Sequence, residues 1–237
     1  MCGRYLLHAD PKLIERAFGA EFSEIPRELV PRWNIAPSQR VPIVRNRPGR
    51  KLKIVRQGEG GERELATVRW GLIPAWAKDA SIGGRLINAR SETVAEKPAF
   101  RGAFRKRRAL VPADGFYEWR KREGDRPKQP LLIRRRDGQP FAFAGLWERW
   151  RGPEGEVETC TLLTTEANAV LAPIHDRMPA ILSPEDEAAW LDVRGVRGQD
   201  AMRLLRPYAD EDLEAFPVST RVNCPANEEP ACMVQRG

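Results

Sequence analysis

The chain has 237 residues, a formal net charge of +7 and a pI of about 9.5. Hydrophobic residues make up 41% of it and seven residues are tryptophan, which excludes a disordered polymer. No apolar run approaches the roughly 18 residues of a membrane span, and the N-terminus lacks a secretory pattern. We therefore expect a globular cytoplasmic protein with no membrane partner.

The four cysteines show no spacing typical of a metal site or a redox pair. They are Cys2, Cys160, Cys224 and Cys232, and they include no C-x-x-C pair and no histidine at zinc-binding spacing. In a reducing compartment such cysteines are free thiols. We therefore expect no metal and no cofactor.

The positive charge permits a polyanionic partner. Of the 40 basic residues only eight are lysine, and the planar guanidinium of arginine suits phosphate better than an ammonium group does. An excess of arginine is also typical of GC-rich genomes. The charge alone therefore does not select a nucleic-acid partner.

The first predicted element is a short helix over 10–19. Asp10 is suited to cap it, Pro11 to form its first turn and Gly19 to end it. Leu13, Ile14, Ala17 and Phe18 recur at the spacing of one helical face, which is the pattern of a helix packed on a core.

Strands are predicted next. "VPIVR" (41–45) follows a proline-punctuated stretch and reads as one strand. "KLKIV" (51–55) and "LATVRWGLIP" (65–74) flank a Gly/Glu turn, which predicts a hairpin. The segment 76–105 has few periodic apolar residues.

The middle of the chain predicts more strands. "RALVPADGFYEWRK" contains an Asp114-Gly115 turn, and two apolar segments around Asp137-Gly138 predict a second hairpin. "VETCTLLTT" (157–165) reads as a further strand.

Helical patterns return after Thr165. "SPEDEAAWL" begins with a capping signature at Ser183, and "QDAMRLLRPY" (199–208) predicts another helix. "FPVSTRVNCP" (216–225) predicts a last strand. With strands dominating 40–165, we expect an α+β fold in a single domain, with a curled, barrel-like antiparallel β-sheet and flanking helices.

The position of Cys2 has a specific chemical consequence. Aminopeptidases remove Met1 when the next side chain is small, which leaves a free α-amine and a thiol on adjacent carbons of Cys2. Most cysteines are simply small buried side chains, so Cys2 taken alone supports either interpretation.

Two further residues are candidates for proton transfer. His175, in "NAVLAPIHDRMPAIL", has charged neighbours and a ring that titrates near neutrality in its ordinary state. Glu118, in "DGFYEWRK", has aromatic neighbours, a setting suited to proton exchange. An outward-facing glutamate paired with Arg120 or Arg122 is the alternative.

Other residues are candidates for binding nucleic acid. Asn88 and Arg90, in "LINARSET", can donate to a sugar or phosphate, or can be ordinary turn residues. Trp70 and Trp76 flank a Gly/Pro turn and suit either base stacking or a core. "FRGAFRKRR" (100–108) interleaves two phenylalanines with basic residues and could extend the same nucleic-acid-binding surface.

Together these segments resemble the SOS-response-associated peptidase family, whose members process abasic sites. Seven segments match in family order: "MCGRY", "WNIAPSQ", "RWGLIPAWAKD", "INARSET", "LVPADGFYEW", "IHDRMPAIL" and "PVSTRVN". The resemblance implies a single domain over 2–223, followed by a C-terminal tail over 224–237. It also implies a monomer that binds single-stranded DNA containing abasic sites and joins it covalently.

The resemblance assigns roles to individual residues. Cys2 would attack the ring-opened abasic sugar through its α-amine and close a thiazolidine with its thiol. Glu118 and His175 would move protons, and Asn88 would orient Cys2 and the sugar. The residues implied in DNA binding are Arg4, Trp70, Trp76 and Arg90.

Two other functions stay open on the sequence alone. An N-terminal cysteine can use its own α-amine as a base in peptide hydrolysis, although self-processing requires no more than loss of Met1. A non-covalent nucleic-acid-binding module would use the arginines and aromatic residues, and Cys2 would have no role in it.

The Schiff base implied by the resemblance also permits minor cleavage of the DNA strand, that is, lyase activity.

Overall fold

The computed structural model describes residues 2–21, 31–46, 63–124, 126–153 and 155–236. Fourteen strands lie in these ranges, and short helices occupy both ends of the chain. The strands are β1 (Tyr5–Leu7), β2 (Ala20–Glu21), β3 (Arg32–Ile35), β4 (Arg40–Asn46), β5 (Arg63–Trp70), β6 (Asn88–Arg90), β7 (Arg108–Ala113), β8 (Gly115–Arg120), β9 (Gln129–Arg135), β10 (Phe141–Gly152), β11 (Gly155–Glu166), β12 (Arg177–Pro179), β13 (Ile181–Leu182) and β14 (Leu213–Pro217).

The described part of the chain also contains four α-helices: α1 (Pro11–Phe18), α2 (Arg101–Lys106), α3 (Pro184–Leu191) and α4 (Gly198–Arg203). Short 3-10 helices cover Ala80–Arg85, Ser91–Thr93, Thr220–Asn223 and Pro230–Met233. Within the described ranges, none of the helices combines the length and apolar character needed to cross a bilayer.

Helix α1 forms as its sequence predicts. The side chain of Asp10 accepts a 2.8 Å hydrogen bond from the backbone N–H of Lys12 and so caps the helix. Gly19 ends the helix in the left-handed conformation, with φ of 57°. Ile14 and Phe18 bury the apolar face, and the prediction for 10–19 is confirmed.

Five strands close into a barrel in the order β4, β5, β11, β10 and β7, with β7 returning to β4. A closed ring with an odd number of strands cannot alternate in direction at every pairing. One parallel pair is therefore required, and it is β5–β11, where Thr159 lies opposite Arg69 and Cys160 opposite Trp70. The predicted α+β fold with a barrel-like sheet is confirmed, with this one parallel seam.

A second sheet packs beside the barrel in the order β14, β9, β8, β1, β3, and all its pairings are antiparallel. Tyr5 of β1 reaches into the shared core, where its ring meets Phe143 edge-on at 5.8 Å and Trp70 at 5.5 Å. The N-terminal strand is thereby held between β3 and β8 and joined to the barrel interior.

The predicted hairpin at Asp137-Gly138 is wrong. The chain does turn there, but β9 pairs with β8 and β14, whereas β10 belongs to the barrel. The real hairpin joins β10 to β11, with Gly152 opposite Gly155. Local turn chemistry marks a reversal, but tertiary packing decides whether the flanking strands share a sheet. The strand predicted at 51–55 lies outside the described residues.

The predictions for the C-terminal third hold in part. Helix α3 begins after Ser183 as its capping signature indicates, and α4 covers only the first part of the helix predicted over 199–208. The first part of the helical pattern after Thr165 is wrong, because residues 169–174 form turns. The last strand precedes its predicted position and ends at Pro217.

Residues 224–236 pack against the domain. Cys232 is fully buried in a small apolar cluster, and Gln235 forms a bridge with Val218. The chain after Asn223 therefore contributes to the core.

A close backbone approach holds the loop that follows β5. Gly71 has φ of +122°, and a Cβ on it would lie 2.7 Å from the carbonyl oxygen of Gly83. Gly83 is restricted in the same way, because its Cβ would lie 2.8 Å from the oxygen of Gly71. Only glycines permit this contact.

Gly71→Ala should lower the free energy of unfolding by about 2–4 kcal/mol, because it combines backbone strain with a steric overlap. Gly84→Ala is the matched control, since nothing lies within 4 Å of its added Cβ. Denaturant unfolding of both variants measures the difference. Equal stabilities would contradict the argument.

Glu187 of α3 is a buried carboxyl group whose nearest cation, Arg63, is 3.6 Å away. Burial raises the pKa of Glu187 to about 7, and Arg63 only partly opposes this shift. At pH values between the ordinary pKa of glutamate and about 7, the folded state keeps a proton on Glu187 that the unfolded state has released. The stabilisation from this group is therefore complete below the ordinary pKa and is lost as pH rises through 7.

Glu187→Gln should therefore flatten the pH dependence of stability between pH 5 and 8, by an amount on the order of 2 kcal/mol. Thermal unfolding across this range measures the effect. The exposed Glu211→Gln is the control and should keep the wild-type slope. An unchanged slope in Glu187→Gln would show that another group controls it.

Candidate functional site

Cys2 lies in a buried position just before β1. Its side chain is fully buried, and its carbonyl oxygen accepts a 2.8 Å hydrogen bond from Nδ2 of Asn88. Its Sγ lies 3.7 Å from the carbonyl oxygen of Arg4, a weak sulfur contact. The second residue of the chain is therefore fixed by the protein.

Glu118 is brought beside Cys2 by strand pairing. Tyr5 of β1 lies opposite Phe116 of β8, so the residues before Tyr5 run alongside the residues after Phe116. The carboxylate is almost fully buried, with 4% of the residue exposed. Burial and the neighbouring Glu118 raise the pKa of the Cys2 thiol well above its usual range. The thiol is therefore uncharged at neutral pH, with a carboxylate nearby.

Asn88 is held by the barrel. Its strand β6 pairs with β11, where Asn88 lies opposite Leu162. While Nδ2 binds Cys2, the buried Oδ1 has no hydrogen-bond partner in the part of the chain that the structure describes. A buried acceptor of this kind is suited to a ligand donor. The structure thus brings Cys2, Asn88 and Glu118 together.

His175 lies where the chain enters β12. Strands β12 and β6 pair with the same end of β11, at Thr164 to Glu166 and at Leu162 to Thr164 respectively. The Nδ1 atom of His175 accepts a 2.9 Å hydrogen bond from the backbone N–H of Arg177 and lies 2.7 Å from Oδ1 of Asp176. The hydrogen bond from the N–H of Arg177 requires a neutral ring, whereas the contact with Asp176 favours a protonated ring. Each protonation state of His175 therefore has a partner.

Arg177 was not selected from the sequence as a site residue. Its guanidinium donates to the carbonyl oxygen of Thr164 at 2.6 Å and to Oε2 of Glu92 at 3.0 Å. It therefore ties the loop of His175 to β11. Arg90 is exposed and lies opposite Thr164, at the same end of β11.

Arg4 is anchored by the protein. Its Nη1 donates to Oδ1 of Asn34 at 2.8 Å and to the carbonyl oxygen of Val222 at 2.7 Å. Asn34 is fully buried and donates from Nδ2 to the carbonyl oxygens of Cys224 and Asn227, both at 2.9 Å. The predicted phosphate-binding arginine thus also connects β1 to the C-terminal segment.

Glu228 completes this anchor. Its Oε1 accepts hydrogen bonds from the backbone N–H groups of Trp33 and Asn34, at 2.5 and 2.8 Å. Sequence reasoning missed Asn34 and Glu228. Asn34 lies in the quoted segment "WNIAPSQ" and could have been found there, whereas no pattern marks Glu228.

The two tryptophans have different environments. Trp70 is 1% exposed, and its Nε1 donates to the carbonyl oxygen of Ile87 at 2.9 Å. It is a core residue, and its assignment to base stacking is corrected. Trp76 is 60% exposed and is available for stacking. Phe100 and Phe104 are buried, so the 100–108 segment presents basic side chains without these rings.

The described residues contain no group of three or more His, Cys, Asp or Glu side chains arranged to hold a metal ion. The candidate site residues carry a thiol, a carboxyl group, an amide and an imidazole.

Comparison with known proteins identifies one family over nearly the whole chain. The model of the family described as "SOS response associated peptidase (SRAP)" matches residues 1–225. "Abasic site processing protein YoqW" from Bacillus subtilis (strain 168) is 42% identical over 231 residues, covering 97% of each chain. "Abasic site processing protein HMCES" from Pongo abelii is 30% identical over 274 residues, covering 98% of this chain and 75% of the relative.

A solved structure agrees with this match. A crystal structure of a protein from Bacteroides thetaiotaomicron superposes with a TM-score of 0.83 at 26% identity, covering 99% of this chain and 100% of the other. The fold, the order of the matched segments and the extent of the family match lead to one conclusion. The chain belongs to the SOS response associated peptidase (SRAP) family.

Proposed function

We propose that this protein processes abasic sites by joining single-stranded DNA covalently to Cys2. The observation that carries the proposal is the hydrogen bond from Asn88 to the carbonyl oxygen of Cys2, which holds a buried second residue beside Glu118. Relatives named as abasic site processing proteins support the same substrate.

The chemistry begins once Met1 is removed. The free α-amine of Cys2, with an ordinary pKa near 8, is partly neutral at pH 7 and attacks the aldehyde of the ring-opened sugar. Loss of one water gives a Schiff base. The thiol then adds to the imine carbon and its proton goes to the nitrogen, which closes a thiazolidine ring. This closure is intramolecular and therefore strongly favoured.

The buried thiol explains the need for a base. An uncharged thiol is a poor nucleophile, so its proton must leave as sulfur attacks. Glu118, which neighbours the thiol, would accept that proton and return it to the nitrogen. His175, with a partner for both its neutral and protonated states, serves as a second acid and base during ring opening.

Asn88 and the exposed cationic and aromatic residues would position the strand. The unpaired Oδ1 of Asn88 is placed to accept a hydrogen bond from the amine or from a sugar hydroxyl. Arg4 and Arg90 would bind phosphates flanking the lesion, and Trp76 would stack on a neighbouring base. The Schiff base permits some strand cleavage, which ring closure limits.

Cys2→Ala should abolish the covalent complex with single-stranded DNA that carries one abasic site. A denaturing gel with intact-mass analysis measures it. The wild-type adduct should have the mass of the protein without Met1 plus the DNA minus one water. Cys224→Ala, which changes an exposed cysteine, is the matched control and should crosslink normally.

The opposite results would identify a different function. If wild type binds the DNA reversibly and no crosslink forms, the protein is a binding module. If Cys2→Ala crosslinks as wild type does, another nucleophile acts, and the role of Cys2 is wrong.

Trp76→Ala should weaken reversible binding of single-stranded DNA by about 1–3 kcal/mol while leaving the melting temperature unchanged, because the exposed ring is placed for stacking. Fluorescence anisotropy with a labelled oligonucleotide gives the Kd. Val234→Ala removes the other large exposed hydrophobic side chain found in the described residues and is the control. Equal losses in both variants would contradict a specific role for Trp76.

A further inference from the structure

A cavity of about 530 Å³ lies at the second sheet. It is lined by residues of β8, β9 and β14 and of the turns before β12. Part of its lining is apolar and includes Leu131, Ala215 and Ile174. Its polar lining includes three arginines, Arg120, Arg134 and Arg136, and one carboxylate, Glu214.

Residues that line the cavity are neighbours of the candidate site residues in the strand pairing and in the chain. Leu131 lies opposite Glu118 in the pairing of β8 and β9, and Arg120 follows two positions after Glu118. Residues two apart in a strand face the same side, so Arg120 lies roughly 7 Å further along the face that carries Glu118. On the other side, Ile174 immediately precedes His175.

The charges of the cavity favour an anion. Arg134 forms a 2.8 Å ion pair with Glu214, and its guanidinium lies 5.0 Å from the ring centre of Phe216. Glu214 is therefore already neutralised. Arg120 and Arg136 are exposed, and neither side chain forms a hydrogen bond or an ion pair with any residue in the described ranges. Two cationic side chains in the lining of the cavity thus remain available.

We propose that this cavity binds the single-stranded DNA on one side of the lesion, beyond the nucleotides held at Cys2. Arg120 and Arg136 bind two phosphates of the same strand, and a base or sugar packs against the apolar part of the lining. Phosphate contacts position a strand without reading its sequence, which suits an enzyme whose lesion occurs anywhere. The proposal deepens the proposed function and rests on it for the identity of the ligand.

The test uses oligonucleotides with a tetrahydrofuran abasic analogue, which has no aldehyde and cannot crosslink. Two series extend the strand stepwise, one on the 5′ side of the analogue and one on the 3′ side. Fluorescence anisotropy gives the Kd for wild type and for the double variant Arg120→Ala/Arg136→Ala. Wild type should show a gain in affinity at one length in one series only.

The double variant should lose that gain, with binding of the long oligonucleotide weakened about tenfold at 0.15 M salt. Each single-strand phosphate contact changes log K by about 0.7 per decade of salt, so the salt slope should fall by about 1.4. Binding of the shortest oligonucleotide should be unchanged. Arg120→Lys/Arg136→Lys should fold and retain the gain in affinity, because it keeps both charges.

Arg149→Ala/Arg151→Ala is the matched control. It removes the same charge at the hairpin of β10 and β11, where both arginines form ion pairs with Glu156. Gly155 and Glu166 mark the two ends of β11, roughly 36 Å apart, and His175 lies near the second. This control should keep the length-dependent gain of wild type.

Three results would overturn the proposal. The cavity variant could bind every length as wild type does, or it could weaken the shortest oligonucleotide equally, which would place the arginines at the lesion. Inorganic phosphate or a free mononucleotide could also bind the cavity without competing with the extended strand. Crosslinking of natural abasic DNA by the same proteins tests the proposed function separately, because the analogue series does not depend on it.

Discussion

The hydrogen bond between Asn88 and the carbonyl oxygen of Cys2 is the contact on which the arrangement of the site depends. A residue so close to a chain end is ordinarily mobile. Here β1, starting at Tyr5, is paired on both sides, and Asn88 holds the backbone before it. In the proposed reaction, a nucleophile immobilised before the substrate binds would remove an entropic cost from the bond-forming step.

Each of the two sheets supplies part of the candidate site. The closed barrel supplies Asn88 through β6 and His175 through the chain entering β12, both paired with one end of β11. The second sheet supplies Cys2 and Glu118 through the pairing of β1 with β8. Cys2, Asn88 and Glu118 therefore meet where the sheets share a core. The rings of Tyr5, Trp70 and Phe143 pack the two sheets against each other.

Burial determines the protonation state of the Cys2 thiol and the partners that the site needs. A thiol removed from water stays protonated at neutral pH, and in the proposed reaction a base would have to take its proton. The same burial makes an anchored Arg4 necessary, because a half-buried guanidinium requires acceptors. Asn34 and the carbonyl of Val222 provide them, which ties the N-terminal strand to the C-terminal segment.

Local sequence determined the capped ends of α1, the start of α3, the barrel strands, the α+β class and the candidates Cys2, Asn88, Glu118 and His175. It could do so because capping, turn chemistry and motif chemistry are properties of neighbouring residues. Only the tertiary structure decided that β10 pairs with β11 and that Trp70 is buried while Trp76 is exposed. It also decided that Glu228 holds Asn34 beneath Arg4. These outcomes depend on contacts between residues far apart in the chain, whose pairing is selected by how the whole core packs.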